Sequence, residues 1–401
     1  MQTFQQCHRG AEARFSVLIR TSENETFPYA SQSKCSTVAL GNAPGEQITS
    51  TGMICEIMGG LMLAQELIFG SLFPEDDKID SGEFTIAGRR WRTSRVFETY
   101  WRFAVERQKI FFARLNGNGS RTDDPIFQTF KFTNAYRASD RVSQYLIRNV
   151  AYEGAQTPEA LFYRIMLFKL FNKIETWELL QSALGELTSE EPRFDQIRAL
   201  LNQALGRGVR IYSAAYIMPS GGGRYPRKHD AHLSLLEKMM IEGVPGRLEQ
   251  TPTMSEAFQL LKSFPMLGDF LAYQFVTDLN YSTVCNFSEM EFVVAGPGAR
   301  NGIRKCFPDL PMELANETIK AVCVAQEEEF DRRGLTFPTL WGRPLQLIDC
   351  QNLFCEVDKY ARVAHPQIAG LSSRTRIKQT FRPSGELPKP YYPPKWNLKS
   401  I

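Results

Sequence analysis

The chain has 401 residues, is 43% hydrophobic and 12% aromatic with 28 phenylalanines, and carries a net charge of +3. That much apolar material supports a sizeable core and excludes a disordered chain. The near-neutral total points to no partner class, but the distribution is uneven. Arg89–Arg148 holds thirteen Lys/Arg against five Asp/Glu, and Lys359–Lys399 holds nine against one. Two basic stretches on a balanced chain suggest an anionic partner, although solvated surface accounts for them as well.

Residues 1–90 read as a polar/apolar N-terminal extension, of which the first 50 or so are polar, Ser/Thr-rich and weakly periodic. No basic-then-apolar leader opens them. Gly52–Phe73 is long enough to span a bilayer, but Glu56, Gln65 and Glu66 would be costly in lipid, so a buried helix is expected and no membrane contact. From Arg95 the pattern turns helical, with apolar residues three and four apart in "VFETYWRFAVERQKIFFARL". "TPEALFYRIMLFKLF" starts with Thr157 as N-cap and Pro158 at the first helical position. Further helices are expected over about 193–205, 229–242, 253–263, 268–280, 311–332 and 343–361. Val209–Met218 is the best strand candidate, followed by a flexible loop, Pro219–Asp230. Residues 91–365 form one helical domain, and the basic, proline-rich tail 366–401 straps across the surface through Tyr391, Tyr392 and Trp396. The fold class is mainly α, with irregular extensions at both ends.

Eight cysteines without a CxxC pair and four histidines make no zinc arrangement. No metal or organic cofactor is expected, and reduced thiols fit a cytoplasmic protein.

Four stretches carry candidate chemistry. In the first, a helix ends at Ser263 and Phe264, Pro265, Met266, Leu267 and Gly268 turn into a second helix. Helix, hairpin, helix is the layout of a DNA backbone clamp, with the amides of the second helix facing a phosphate. The usual hairpin is Leu-Pro-Gly-apolar-Gly; Met266 stands where its first glycine would be, and an ordinary tight turn fits equally well. In the second, Gly296, Pro297 and Gly298 precede a short helix with Arg300, Arg304 and Lys305, a possible phosphate nest or a structural turn. In the third, a helix from about Tyr136 places Arg137, Asp140, Arg141 and Gln144 on one face, with Asn134 just before it. The fourth puts Asp349, Asn352, Glu356 and Lys359 on one helical face. Asp278 and Glu291 are the carboxylates that follow the hairpin.

Together, "FKFTNAYRASDRVSQYLIRN", "VAGPGARNGIRKCF" and "LQLIDCQNLFCEVDKYAR" resemble the helical domain of 5-hydroxymethyl-deoxyuridine DNA kinases and of alpha-glutamyl/putrescinyl thymine pyrophosphorylase-like proteins. The resemblance covers roughly 95–365 and looks distantly like helix-hairpin-helix DNA glycosylases. It implies a helical enzyme acting at a modified pyrimidine in double-stranded DNA, with no protein partner evident. The leading expectation is a glycosylase that flips and excises a bulky 5-modified pyrimidine from phage DNA in antiviral defence. Asp278, or failing it Glu291, would stabilise the sugar cation. Asn134, Tyr136, Arg137, Asp140, Tyr273 and Asn280 would line the substrate pocket. Pro265–Gly268, Gly296, Gly298, Arg300 and Lys305 would hold DNA phosphates. The alternatives are a hypermodification enzyme, a transferase or pyrophosphorylase on 5-hydroxymethyluracil derivatives with Gly296–Gly298 as the cradle, and a non-catalytic DNA-binding module.

Overall fold

The computed structural model describes residues 82–119, 122–382 and 387–399. The apolar stretch Gly52–Phe73 and the rest of the N-terminal extension lie outside the described residues. The described residues open with a two-stranded antiparallel hairpin, β1 (Glu83–Ile86) and β2 (Arg89–Arg92), in which Phe84 faces Trp91. This hairpin lies largely within residues 1–90, expected to be an irregular extension. All the other regular elements described are helical.

Helix α1 (Arg95–Leu115) starts where the Ser94 hydroxyl accepts from the Val96 amide at 3.1 Å. Its buried face carries Phe97, Tyr100, Trp101 and Phe103. Short α2 (Pro125–Thr129) and α3 (Arg141–Tyr145) follow, and α3 runs on into one π-helical turn, Leu146–Ala151. In α4 (Pro158–Phe171) every residue from Ala160 onward is buried. It is the central helix of one half, with α5 (Ile174–Leu184), α6 (Phe194–Gly206), α7 (Lys228–Ile241) and α8 (Val244–Glu249) around it. Then come α9 (Met254–Lys262) and α10 (Asp269–Leu279), the two helices of the hairpin.

The other half is organised on α14 (Leu347–Ala364), joined by α11 (Pro297–Cys306), α12 (Ala315–Val324) and α13 (Gln326–Arg332). Helices α11 and α14 approach unusually closely. A Cβ on Gly298 would lie 2.3 Å from Cys355 Sγ, and one on Gly302 would lie 2.0 Å from the Phe354 carbonyl oxygen. Only glycine lets these backbones meet. Across this contact Phe97, Tyr100, Phe307 and Phe354 form a continuous aromatic core.

Three expected elements differ. Val209–Met218 is irregular rather than a strand, because its backbone is tied to helices instead of a partner strand: Ser213 N donates to Phe171 O, and the Thr176 hydroxyl donates to Ile211 O. The expected helix 311–332 is broken by a 3-10 turn at Met312–Leu314 and again at Ala325. The expected helix from Tyr136 is a 3-10 turn, Arg137–Ser139, followed by α3.

The tail crosses the helical body. Tyr392 shares a 2.7 Å hydrogen bond with Ser139, and Lys395 Nζ donates to the Ser282 and Cys285 carbonyls. Arg343 lies 3.9 Å from the Trp396 ring centroid.

Candidate functional site

The site begins with a short polar turn, Asn134–Asp140. Its side chains compete with the helix for the backbone. The Asn134 amide donates to Asp140 Oδ1 at 2.8 Å, and Asn134 Nδ2 donates to the Ser139 carbonyl. The Arg137 amide donates to Asp349 Oδ1 at the start of α14. This wiring turns Arg137 inward and folds Asp140 back onto the Asn134 amide, so the expected shared helical face of Arg137, Asp140, Arg141 and Gln144 does not form.

Inward, Arg137 meets Asp278 of α10 and Lys169 of α4. Arg137 Nη1 and Nη2 grip the two Asp278 oxygens at 2.7 and 2.9 Å, and Lys169 Nζ is 2.8 Å from Asp278 Oδ2. Arg137 Nε donates to Gln274, and Lys169 donates to Asn172. Arg137, Lys169 and Asp278 are each at most 2% exposed. Burial acts to raise the Asp278 carboxyl, but Arg137 and Lys169 outweigh it and hold the group below its ordinary range. Burial draws the Lys169 ammonium down to about 8 despite Asp278. Two cations on one carboxylate leave a buried excess of positive charge, and Tyr216 covers it. Its ring centroid lies 4.4 Å from Lys169 Nζ and 5.6 Å from Arg137 Cζ. Tyr216 in turn stacks on Phe270 in the first turn of α10. A Cβ on Gly296 would lie 2.6 Å from the Phe270 ring, so that glycine makes room for the stack.

On the other side of the turn, Arg107 Nη2 donates to Asn134 Oδ1 and Arg107 Nε donates to the Thr133 carbonyl. Arg107 Nη1 is buried without a hydrogen-bond partner among the described residues. Asn352 and Glu356 of α14 close the cluster, bonded to Asn134 O and Thr133 N. Asp140 is half-buried here, and burial raises its carboxyl to about 7, with nearby Glu356 adding to the effect.

The hairpin has the expected position between α9 and α10. Phe264 and Leu267 are buried, Pro265 and Gly268 exposed, and Met266 half-buried. Met266 has φ 68°, the left-handed conformation that the missing glycine would adopt without strain. Open space surrounds the Gly268 Cβ position, so a backbone could approach there. The first turn also carries Asp269, which pairs with Lys262 at 2.7 Å.

Other expected residues lie elsewhere. Asp278 does not face a cavity as a free anion, because both its oxygens are committed to buried cations. Glu291 is exposed. Tyr136 and Tyr273 are each 1% exposed, so neither ring is available to stack on a base; the Tyr136 hydroxyl bonds to the Arg343 carbonyl. Asn280 fastens the chain at Phe287 through two hydrogen bonds. The phosphate nest is not built: Gly296 and Gly298 face Phe270 and Cys355, Arg300 donates to the Met312 carbonyl, and Lys305 is buried on Asp358 at 3.1 Å. Sequence reasoning missed Lys169, Tyr216, Gln274 and Arg107. A lysine in the wholly apolar run "IMLFKLF" was the legible signal, since a buried lysine needs a partner.

Residues 94–370 match the 5-hmdU DNA kinase helical domain. The chain belongs to that family. It is also 24% identical over 288 residues to a protein of Bacillus phage SP10 named 5-hmdU DNA kinase, covering 66% of this chain and 45% of the relative. The chain thus spans under half the length of that curated relative. No solved structure matches. The match to the helical domain of 5-hmdU DNA kinases and to a relative named for that activity overturns the expected DNA glycosylase, since neither is named for hydrolysis of an N-glycosidic bond. Among the described residues no helix is long and apolar enough to cross a membrane.

Proposed function

We propose that this chain recognises DNA carrying 5-hydroxymethyluracil and presents the modified base for group transfer at its 5-hydroxymethyl group, as the DNA-handling part of a hypermodification reaction. The reading rests on the extent of the family match, which contains the helical body from α1 to α14, including the hairpin and both polar clusters. The 5-substituent of a pyrimidine lies on the major-groove edge, where a protein can distinguish it from the methyl group of thymine. Phosphate contacts would supply the affinity and make it salt-dependent.

Transfer to the hydroxymethyl oxygen requires that oxygen to lose its proton as the new bond forms. Asp140 is the group best suited to accept it: half-buried, beside the unsatisfied Arg107 Nη1, and raised to about 7 by burial. Gly296–Gly298 does not fit a triphosphate, since its Cβ directions are filled by Phe270 and Cys355. A phosphoryl donor has no cradle there. A DNA substrate and the free thiols among the described cysteines suit a cytoplasmic location.

The test is fluorescence anisotropy with duplexes that differ only in 5-hydroxymethyluracil or thymine at one position, titrated at several salt concentrations. Tighter binding of the modified duplex at every salt is expected. Equal affinity for the two duplexes throughout would sink the reading.

A further inference from the structure

From Gln203 to His229 the chain has five basic residues, Arg207, Arg210, Arg224, Arg227 and Lys228, and no acidic one. The four arginines are exposed, on an irregular loop between α6 and α7. The same loop presents Ile217 at 69% and Val209 at 45% exposure, among the most exposed large apolar side chains described. An isoleucine held in water on a loop whose only charged residues are cations contributes nothing to the fold.

The loop is nonetheless held in place. His232 bonds to the Tyr212 hydroxyl at 2.8 Å and to the Pro219 carbonyl at 2.7 Å. Gly221, at φ 77°, fits so tightly that a Cβ would lie 2.6 Å from Ala231 Cβ and 3.0 Å from Met266 Sδ of the hairpin. Tyr216, at φ 53°, is kept in a costly left-handed conformation by its stack on Phe270 and its place over Lys169. Ile217 follows directly, so the inward turn of Tyr216 is coupled to the outward display of Ile217. Both anchors, Met266 and Phe270, belong to the hairpin, which puts the loop beside the exposed Pro265 and Gly268.

We propose that the loop between α6 and α7 is the DNA-gripping surface of this chain, with its arginines on backbone phosphates and Ile217 entering the duplex beside the modified base. The inference rests on the DNA reading above and adds the surface that carries it. An all-cationic loop complements the phosphate backbone. An exposed apolar side chain on a basic loop is the type of group that enters a base step and partly unstacks it. The basic tail, by contrast, is largely a strap.

The test uses the full chain. Arg210→Glu with Arg224→Glu is compared with Arg374→Glu plus Arg376→Glu, an equal charge change in the tail. The loop pair should weaken binding to modified and thymine duplexes alike and reduce the salt slope by about two, roughly one per lost phosphate contact. The tail pair should leave the slope unchanged. Ile217→Ser should keep the slope and abolish the rise in 2-aminopurine fluorescence next to the modified base. If the parent prefers modified DNA but the loop pair changes neither slope nor affinity, this inference is overturned and the function stands. If the loop pair abolishes salt-dependent binding but the parent shows no preference, the function falls and the surface stands. A parent that binds no duplex rejects both.

Discussion

Asp278→Asn tests whether the buried cluster is a structural lock. The wild-type carboxylate is 1% exposed and takes three short contacts from Arg137 and Lys169. Asparagine keeps the shape and one acceptor but loses the charge and turns an amide group toward two cations. Removing one partner of a buried ion pair typically costs about 3–5 kcal/mol. Lys169, already drawn to about 8 with Asp278 in place, would lose its proton at neutral pH and so limit the cost. At roughly 1–2 °C per kcal/mol for a chain of this size, the melting temperature should fall by about 3–10 °C. Circular dichroism melts and urea titrations at pH 7 measure it. Lys169→Met in the same background should recover part of the loss, because it removes a buried amine that Asp278 no longer holds. Glu291→Gln, at an exposed position, should stay within about 0.5 kcal/mol of the parent. An Asp278→Asn variant that melts within a degree or two of the parent would refute the lock.

Gly302→Ala should cost about 1–3 kcal/mol or more by overpacking, since its Cβ would lie 2.0 Å from the Phe354 carbonyl oxygen; Gly246→Ala, in a helix with open space, should be neutral or stabilising in the same urea titration. Met266→Gly should exceed Met266→Ala in stability by about 1 kcal/mol, because only glycine adopts φ 68° freely, and equal melts would deny strain in the hairpin. Asp140 and Asp349 are both raised to about 7 by burial, so between about pH 4, where the unfolded carboxylates titrate, and pH 7 the native state binds more protons. Stability should therefore fall as pH rises through that window and level off above it, by at most about 1.4 kcal/mol per pH unit per group; Asp140→Asn should flatten part of the fall in urea titrations at stepped pH.

Helix content and most helix positions were legible in the chain itself. Apolar spacing at three and four residues, Thr157 with Pro158, and the turn at Phe264–Gly268 are local signals, and local signals survive folding. The three stretches that carry the family resemblance were legible too, and the match over residues 94–370 agrees with them. Their chemistry was not. Gly296–Gly298 looks like an anion cradle in sequence, yet the direction of a Cβ depends on which helix lies opposite, and here Phe270 and Cys355 do. Arg137 and Asp278 stand 141 residues apart and Lys169 on a third helix, so no spacing rule could join them. Asp278 was identifiable as an unusual carboxylate, but whether it faced a substrate or two cations depended on how α4, α10 and the Asn134–Asp140 turn pack together. Charge and helical periodicity are written along the chain; which charges are buried, paired or left facing water is decided only when distant segments exclude water from one another.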